Sequence, residues 1–582
     1  MKTLQLGSIL ADALRERAAR DPSRLAFRFL VDGEDEEALV TYGELDRRAR
    51  QVAACLAERG AKGERALLVH QPGLAYIEGL FGCLYAGAVA VPAYPPRVGQ
   101  QTEGLGLVAA DAQARFALTT PGLQARLLEE KDPRLAALTW ITPEVASQYD
   151  AASYKPHKPD PGALAVLQYT SGSTRAPRGV MLSQENLATN AALVTEVAAI
   201  TSEDRALAWL PPYHDMGLIG FIIVPVLAGV TTTLLSPTAF LQRPMRWLRA
   251  VGRYRSTITG GPDFAFRLCA QRATPAQIET LDLSSLRIAF TGAERIRPDT
   301  LERFAAAFTP AGFRREAFMP SYGLAEATLA VAAGAPGQGA LVRTFGARQL
   351  AASGAPLAGT EVRIVEPQTR LVQPAGTAGE IWVRSPSIPQ GYWNQPELTA
   401  HTFKAELGDS SAGAYLRTGD LGFLQEGQLF VEGRLKDLLI FRGVNHYPED
   451  LEATSGKAHP RLRTGVAFSV EANGEEQLVF VHEVDKPRDD LPAREIASAL
   501  RKAVAEEHDL PVQEVVLVPP GALPKTSSGK LQRGLAREKY LAKAFEVVGS
   551  SQRSATGDAA PDLVRATASL FASVLGVTEV GP

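Results

Sequence analysis

Short apolar runs alternate with longer helical periods along most of this chain. Ala66-Leu-Leu-Val-His70, Ala88-Val-Ala-Val91, Arg115-Phe-Ala-Leu118, Ala163-Leu-Ala-Val-Leu167 and Arg287-Ile-Ala-Phe290 each read as a short buried strand. Between them lie amphipathic periods, the first from Ser8 onward, and Ser183 reads as the N-cap of a helix beginning near Gln184. This alternation over residues 1 to about 434 predicts α/β layers with largely parallel sheets. From Gly359 to Val383 two strand-like runs flank a turn at Gly376–Gly379, which predicts a smaller β-rich lobe. Gly433-Arg-Leu-Lys-Asp437 sits between a strand at Gln428–Val431 and another at Leu438–Phe441. The fold class is therefore α/β: a large N-terminal domain, 1–434, of layered α/β subdomains plus a β-rich lobe, and a small α+β C-terminal domain, 438–545.

Near Ser550 the composition turns small and polar, and 546–560 reads as a linker. Beyond it Leu563, Leu570, Phe571, Val574 and Leu575 form one apolar helical face, so 561–582 reads as the start of a further, truncated module. No internal repeat is visible.

Bulk properties narrow the classes of function. The chain has 582 residues, 45% of them hydrophobic, enough for a large core and more than one domain. A formal net charge of −3 gives no electrostatic footprint for nucleic acid. Three widely spaced cysteines, without a Cys-x-x-Cys or a His/Cys cluster, point to a reduced, cytoplasmic compartment. The N-terminus lacks a signal-peptide pattern. The apolar stretch Leu218–Val230 is too short for a bilayer and contains Pro225, so no membrane insertion is expected.

Candidate chemistry is densest in Tyr169-Thr-Ser-Gly-Ser-Thr-Arg-Ala-Pro-Arg-Gly179. Hydroxyls and glycines between a strand and a helix expose backbone N–H groups, and such concavities bind phosphate. The loop is not of the Walker type, because no Gly-Lys-Ser or Gly-Lys-Thr ends it. Taken alone it could equally be a polar turn. Four further segments carry chemistry-bearing groups: Leu210-Pro-Pro-Tyr-His-Asp-Met-Gly-Leu218, Met319-Pro-Ser-Tyr-Gly-Leu-Ala-Glu326, Tyr415-Leu-Arg-Thr-Gly-Asp420 and Leu523-Pro-Lys-Thr-Ser-Ser-Gly-Lys530.

In this order the five segments resemble the adenylate-forming superfamily: acyl-CoA ligases, luciferases and peptide-synthetase adenylation domains. The resemblance covers about residues 5 to 545. Within it the chain looks most like the fatty acyl-AMP ligases. Val91-Pro-Ala-Tyr-Pro-Pro-Arg97, Leu281-Asp-Leu-Ser-Ser-Leu286, Thr291-Gly-Ala-Glu294 and Arg442-Gly-Val-Asn-His-Tyr-Pro-Glu-Asp450 are similar to their local patterns. So is Gly260-Gly-Pro-Asp-Phe-Ala-Phe266, with aspartate where their pattern has asparagine.

The resemblance implies an enzyme that uses ATP and Mg²⁺ to convert a fatty acid to acyl-AMP. The acyl group would then pass to the phosphopantetheine thiol of an acyl carrier protein or domain, as in the loading module of a polyketide- or lipopeptide-type synthase. Residues 561–582 look like the start of such a carrier, which would put it in cis. The implied nucleotide site comprises Thr170, Ser171, Gly172, Ser173, Thr174 and Arg178 on the triphosphate. Gly292, Ala293, Glu294, Ser321, Tyr322 and Gly323 would form the adenine slot, and Asp420 with Arg434 would hold the ribose. Glu326 would hold Mg²⁺, and Lys530 would offset charge on the carboxylate and α-phosphate. Residues 435–437 would be a hinge, pivoting on Lys436 and Asp437, that makes the small domain mobile.

Some roles stay open at this level. His214 borders the acyl carboxylate or is a loop residue packed on Tyr213, and Asp215 shares the ambiguity. Phe221, Ile222, Ile223 and Phe264 line an acyl tunnel or are ordinary core. Gly334–Gly354 stands where fatty acyl-AMP ligases carry an inserted segment and is short for one. An acyl-CoA ligase, an amino-acid-activating domain and a non-catalytic nucleotide-binding or carrier-docking module are the rival readings.

Overall fold

Side chains of successive strand residues point to opposite faces, and in this chain both faces are apolar. In a six-stranded sheet Ala66, Leu68, Ala90, Phe116, Leu118 and Val166 enter one core, while Leu67, Val69, Val89, Val91, Ala117 and Leu167 enter another. The strand order is Thr139–Ile141, Phe116–Leu118, Arg65–Leu68, Val89–Pro92, Leu164–Thr170, Arg178–Ser183, parallel except for the last pair. The structure, a computed structural model, describes residues 10–96, 102–156, 160–170, 177–346, 348–409, 413–441, 444–472, 475–485, 492–526 and 530–552.

The described residues fall into two compact units, Met1–Leu435 and Lys436–Pro582. The larger also holds a nine-stranded sheet. Its parallel centre runs Phe318–Gly323, Ile288–Thr291, Ile258–Gly261, Arg205–Ala208, Thr231–Leu235 and Leu25–Leu30. One continuous core joins it to the six-stranded sheet through the helices Tyr42–Glu58, Leu74–Ala86 and Gln184–Val197. The last of these starts as the sequence indicates: Ser183 caps it, and Asn186 completes a reciprocal capping box.

The β-rich lobe is an antiparallel sheet of Glu361–Val365, Gly379–Arg384, Leu416–Gln425 and Gln428–Arg434. The short segment Gly334–Gly354 contributes a hairpin of Val342–Phe345 and Arg348–Ala351. Phe345 packs edge-on against Phe423 and Phe430 of that sheet, and Arg348 pairs with Glu432 at 2.9 Å.

The smaller unit wraps the helices Pro448–Lys457, Ala493–His508 and Arg533–Leu541 around a sheet of Leu462–Ala472, Glu475–Val484, Val512–Val518 and Gly549–Gln552. Its last strand corrects the expected linker at 546–560. Gly549–Gln552 pairs antiparallel with Val512–Val518, and Arg501 donates to the Ser551 carbonyl at 2.6 Å. An edge strand needs backbone pairing but few apolar side chains, so small polar residues hid it. The apolar helical face at Leu563–Leu575 lies outside the described residues.

Candidate functional site

Five chain segments meet at the carboxyl ends of parallel strands, where open α/β sheets form ligand crevices. The strand Arg205–Ala208 leads into Leu210–Asp215, Ile258–Gly261 into Asp263–Phe264, and Ile288–Thr291 into Gly292–Glu294. Phe318–Gly323 itself carries Ser321, Tyr322 and Gly323. Gln168, near the end of Leu164–Thr170, donates from Nε2 to the Tyr213 carbonyl at 2.8 Å. That bond ties the strand Leu164–Thr170 to the His214 loop.

The loop itself differs from the sequence reading in one respect. It lies between two antiparallel strands, with Thr170 opposite Arg178, and the helix at Gln184 starts only after the second strand. A helix N-terminus is therefore not its immediate anion-binding element. Ser171, Gly172, Ser173 and Thr174 lie outside the described residues, as does the side chain of Thr170.

Close backbone approach explains two glycines. A Cβ at Gly292 would meet the Ser321 carbonyl oxygen at 2.5 Å, so only glycine lets these neighbouring strand ends converge. A Cβ at Gly217 would meet the Pro211 carbonyl oxygen at 2.1 Å, which folds the Pro-rich loop back on itself. Beside Gly292, Ala293 adopts φ 64°, a left-handed conformation uncommon for a residue with a side chain.

The Tyr322 hydroxyl donates to Asp420 Oδ2 at 2.7 Å, across 98 positions of sequence. Burial, with the Asp420 charge added, raises the Tyr322 phenol well above its ordinary value, so it remains a donor. Asp420 Oδ1 faces Arg434 Nε at 3.4 Å, the two being register partners in the antiparallel lobe. A carboxylate offers about four acceptor positions, so Asp420 keeps capacity for two further hydroxyl donors.

Glu326 forms a second cluster. Its Oε1 accepts from the Tyr392 hydroxyl at 2.9 Å. Burial raises the Glu326 carboxyl above the usual range; Tyr392 and the Arg434 charge oppose this, and Asp215 reinforces it. Tyr392 in turn interacts with Arg178, which lowers a phenol that burial and Glu326 raise. Sequence reasoning missed Tyr392. Its backbone bridges Val180, beside Arg178, and Trp393 N–H donates to the Gly179 carbonyl at 2.8 Å. The available signal was Gly391-Tyr-Trp393 after a Pro-rich turn, in a stretch with no charged residue.

His214 is half-buried, with Nδ1 2.5 Å from Asp215 Oδ1, which also accepts from the Met216 N–H at 2.6 Å. Tyr213 packs edge-on against Tyr94 of the Val91–Arg97 segment, with ring centroids 5.0 Å apart. Phe221, Ile222 and Ile223 lie on the π-helical segment Met216–Ile223 and are buried in the continuous core. Phe264 is only partly buried, edge-on to Trp209. Glu294 faces the same side: its Oε2 accepts the Phe264 N–H at 3.2 Å, so it is placed beside Phe264.

Next to Phe264, Asp263 is buried, accepting from the Arg297 N–H and the Thr300 hydroxyl, each at 3.0 Å. Burial pushes its carboxyl up to about 6. The folded chain thus holds a proton that the unfolded chain releases between pH ~4 and ~6, so this group's contribution to stability falls as pH rises through that window. Above it the charged form costs roughly 2–3 kcal/mol. Asp263→Asn is expected to raise the thermal midpoint by a few degrees at pH 8 and by much less at pH 4.5. Calorimetry at the two pH values checks this; equal shifts would contradict it.

In the smaller unit, Lys530 sits where its backbone closes on Thr526: its N–H donates to Thr526 Oγ1 at 3.1 Å and its carbonyl accepts the Thr526 N–H at 2.7 Å. Lys436 and Asp437 form a 3₁₀ turn at the start of that unit. Asp437 Oδ2 lies 3.4 Å from the buried Arg533, which also binds both Glu452 oxygens and Glu449.

Among the described residues no group of three or more His, Cys, Asp or Glu gathers to hold a metal, and no helix is long and apolar enough to cross a membrane.

The profile of the AMP-binding enzymes matches residues 14–393, and that of the Disco-interacting protein 2-like AMP domain matches 436–550. A medium-chain-fatty-acid–[acyl-carrier-protein] ligase, JamA of Moorena producens, is 44% identical over 92% of this chain and 95% of its own length. A Mycobacterium tuberculosis protein named as a fatty-acid–CoA ligase, FadD21, is 39% identical over 92% of this chain and 99% of its own. A solved fatty acyl-adenylate ligase from L. pneumophila, in complex with acyl adenylate and pyrophosphate, superposes with a TM-score of 0.72 at 38% identity. The match covers 94% of this chain and 98% of that one.

Proposed function

The chain belongs to the AMP-binding enzyme family, and from that premise we propose that it activates a fatty acid with ATP as acyl-AMP, releasing pyrophosphate, and passes the acyl group to the phosphopantetheine thiol of a carrier protein. The observation that carries this reading is the Tyr322–Asp420–Arg434 cluster, whose Arg434 charge also acts on Glu326, itself bonded to Tyr392 beside Arg178. It supplies an aromatic face, an oriented acidic acceptor and a phosphate-facing cation, which is what an adenosine phosphate requires.

The chemical problem is that two anions must meet. A fatty carboxylate attacks the α-phosphorus, a C–O–P bond forms, and the bond to the pyrophosphate oxygen breaks. Positioning and charge neutralisation therefore carry most of the acceleration. Tyr322 presents its ring to adenine while its hydroxyl orients Asp420, so one hydrogen bond fixes base and ribose recognition together. Arg178 holds phosphate through its forked donors, and Lys530 offsets the charge of the reacting carboxylate and α-phosphate. His214, oriented by Asp215, borders the incoming carboxylate, and Phe264 contributes to the apolar wall. Glu326 is a hard oxygen donor whose carboxyl is raised by burial, with the Asp215 charge adding to it, and it would hold Mg²⁺. Mg²⁺ bound there would neutralise phosphate charge. Lys436 and Asp437 serve as the pivot that separates adenylation from thiol transfer.

Tyr392→Phe tests the second cluster. It removes the donor to Glu326, and a hydrogen bond to a charged group is worth about 1.5–3 kcal/mol. Fatty-acid-dependent pyrophosphate exchange is expected to fall roughly 10- to 100-fold, with a raised Mg²⁺ requirement. Unchanged exchange at limiting Mg²⁺ would remove Tyr392 from the site.

A relative named as a fatty-acid–CoA ligase, and the short hairpin segment at Gly334–Gly354, favour a second reading in which CoA is the acceptor. Supplying CoA and a phosphopantetheinylated carrier in parallel separates the two.

A further inference from the structure

Asp420 stands on a strand that breaks register on both sides. Between the strands Gly379–Arg384 and Leu416–Gln425, Glu380 pairs with Leu421 and Trp382 with Arg417. One residue, Ile381, therefore faces three, Thr418, Gly419 and Asp420. On the other side the strand Gln428–Arg434 slips by one residue at Glu432, between Gly433 and Val431. Extra residues in a strand leave ladder groups unpaired and re-aim side chains, and such bulges gather beside active sites. Here the bulge brings both Thr418 and Asp420 to the Tyr322 hydroxyl.

Side chains fix the shape of this bulge. Gly419 has φ 70°, and a Cβ there would meet no atom within 4 Å, so the glycine serves its left-handed backbone and not a tight space. Glycine is also the residue least restrained by its own backbone, so the turn by itself does not hold Asp420 in one direction. The Thr418 hydroxyl donates to the Ile381 carbonyl at 2.7 Å and accepts the Asp420 N–H at 3.1 Å. The Gly419 N–H donates to Glu380 Oε1 at 3.2 Å. Glu380 is 2% exposed and is itself anchored. Its Oε2 accepts from Arg417 Nη2 at 2.7 Å and from Trp382 Nε1 at 2.9 Å, and Arg417 lies over the Trp382 ring. A bond from a backbone N–H to a carboxylate is charge-assisted, and so stronger than one to a neutral acceptor.

We infer that Glu380 is a positioning residue for nucleotide recognition: held by Arg417 and Trp382, it clamps the Gly419 N–H and thereby aims Asp420 at the ribose hydroxyls. The inference rests on Asp420 as the ribose acceptor, as proposed above. Glu380 acts through one backbone bond to the residue before Asp420. Its loss should therefore blur the reading of the ribose before it touches the handling of the fatty acid.

The test compares kcat/KM for ATP, 2′-deoxy-ATP and 3′-deoxy-ATP in fatty-acid-dependent pyrophosphate exchange on the full chain, with the thermal midpoint of each variant recorded. The double variant Glu380→Met/Arg417→Met replaces the buried ion pair by apolar side chains, an exchange that buried pairs often tolerate. It is expected to keep the wild-type midpoint within a few degrees and to raise KM for ATP about tenfold, with KM for the fatty acid unmoved. Ribose discrimination is expected to fall from about tenfold to about threefold or less. Glu380→Gln leaves one acceptor oxygen for Gly419, Trp382 and Arg417, and its discrimination is expected to fall in between. Arg417→Lys keeps a cation beside the carboxylate, so it is expected to lower the midpoint yet keep the discrimination. A general loosening of the lobe would instead lower exchange with all three nucleotides alike. That outcome, wild-type discrimination in both Glu380 variants, or an equal loss in Arg417→Lys would each overturn the inference. Asp420→Ala is measured alongside. If it keeps full discrimination, the ribose reading falls and this inference with it; if it alone loses discrimination, the ribose reading stands and Glu380 does not position Asp420.

Discussion

Replacing Lys530 by alanine is expected to lower fatty-acid-dependent pyrophosphate exchange by roughly 10²–10³-fold, the range seen when one preorganised charge-stabilising donor is removed from an active site. The reason is electrostatic. A carboxylate and a triphosphate approach with the same sign, and an ammonium at the developing charge is worth far more in a water-poor site than in bulk. Lys530 follows a Ser-Ser-Gly run, and its backbone N–H and carbonyl bond the hydroxyl and the N–H of Thr526. The variant should fold normally, because Lys530 belongs to neither core of the smaller unit. Arginine should rescue little, since its planar fork does not reproduce a compact point charge. Thiol transfer from added acyl-AMP is expected to survive, because pyrophosphate departure is then already complete. Loss of both half-reactions together would remove the assignment of Lys530 to adenylation.

Asp420→Ala is the second large effect. It removes the acceptor that we propose for two ribose hydroxyls and also releases the Tyr322 hydroxyl. With hydrogen bonds to charged groups at about 1.5–3 kcal/mol each, kcat/KM for ATP should fall roughly 10²–10⁴-fold. A finer signature accompanies the loss. Wild type should discriminate against 2′-deoxy-ATP and 3′-deoxy-ATP by about tenfold or more, and the variant should treat all three nucleotides nearly alike. Tyr322→Phe keeps the ring but frees one carboxylate oxygen, so its loss should be smaller than that of Asp420→Ala. Undiminished discrimination in Asp420→Ala would place the ribose elsewhere.

Much of the architecture can be read from period alone. Runs such as Ala66–Val69 and Ile288–Phe290 are apolar at every position because parallel strands bury both faces, and the structure divides each run between two cores or two sheet faces. Three features were not legible. Gly549–Gln552 is a strand held by backbone pairing, with few apolar side chains to mark it. The strand before the Ser/Thr/Gly loop pairs with a second strand before the helix begins, and that second strand, Arg178–Ser183, is masked by its mixture of arginine, glycine and serine. Tyr392 reaches Glu326 across 66 positions, and local spacing carries no information about such a contact. Motifs that act within one turn, such as the Ser183 cap with Asn186, are visible from sequence because cause and effect are adjacent. The Tyr322–Asp420 bond belongs to the other class: each residue stands out in its own motif, but only the fold shows that one orients the other.

Mass spectrometry of the protein with ATP, Mg²⁺ and a panel of fatty acids, with CoA or a phosphopantetheinylated carrier supplied in parallel, tests the central claim most directly. The expected result is acyl-AMP from at least one fatty acid and acyl transfer to the carrier, with no acyl-CoA. No acyl-AMP with any member of the panel would contradict the adenylation chemistry, and accumulation of acyl-CoA would contradict the carrier as acceptor.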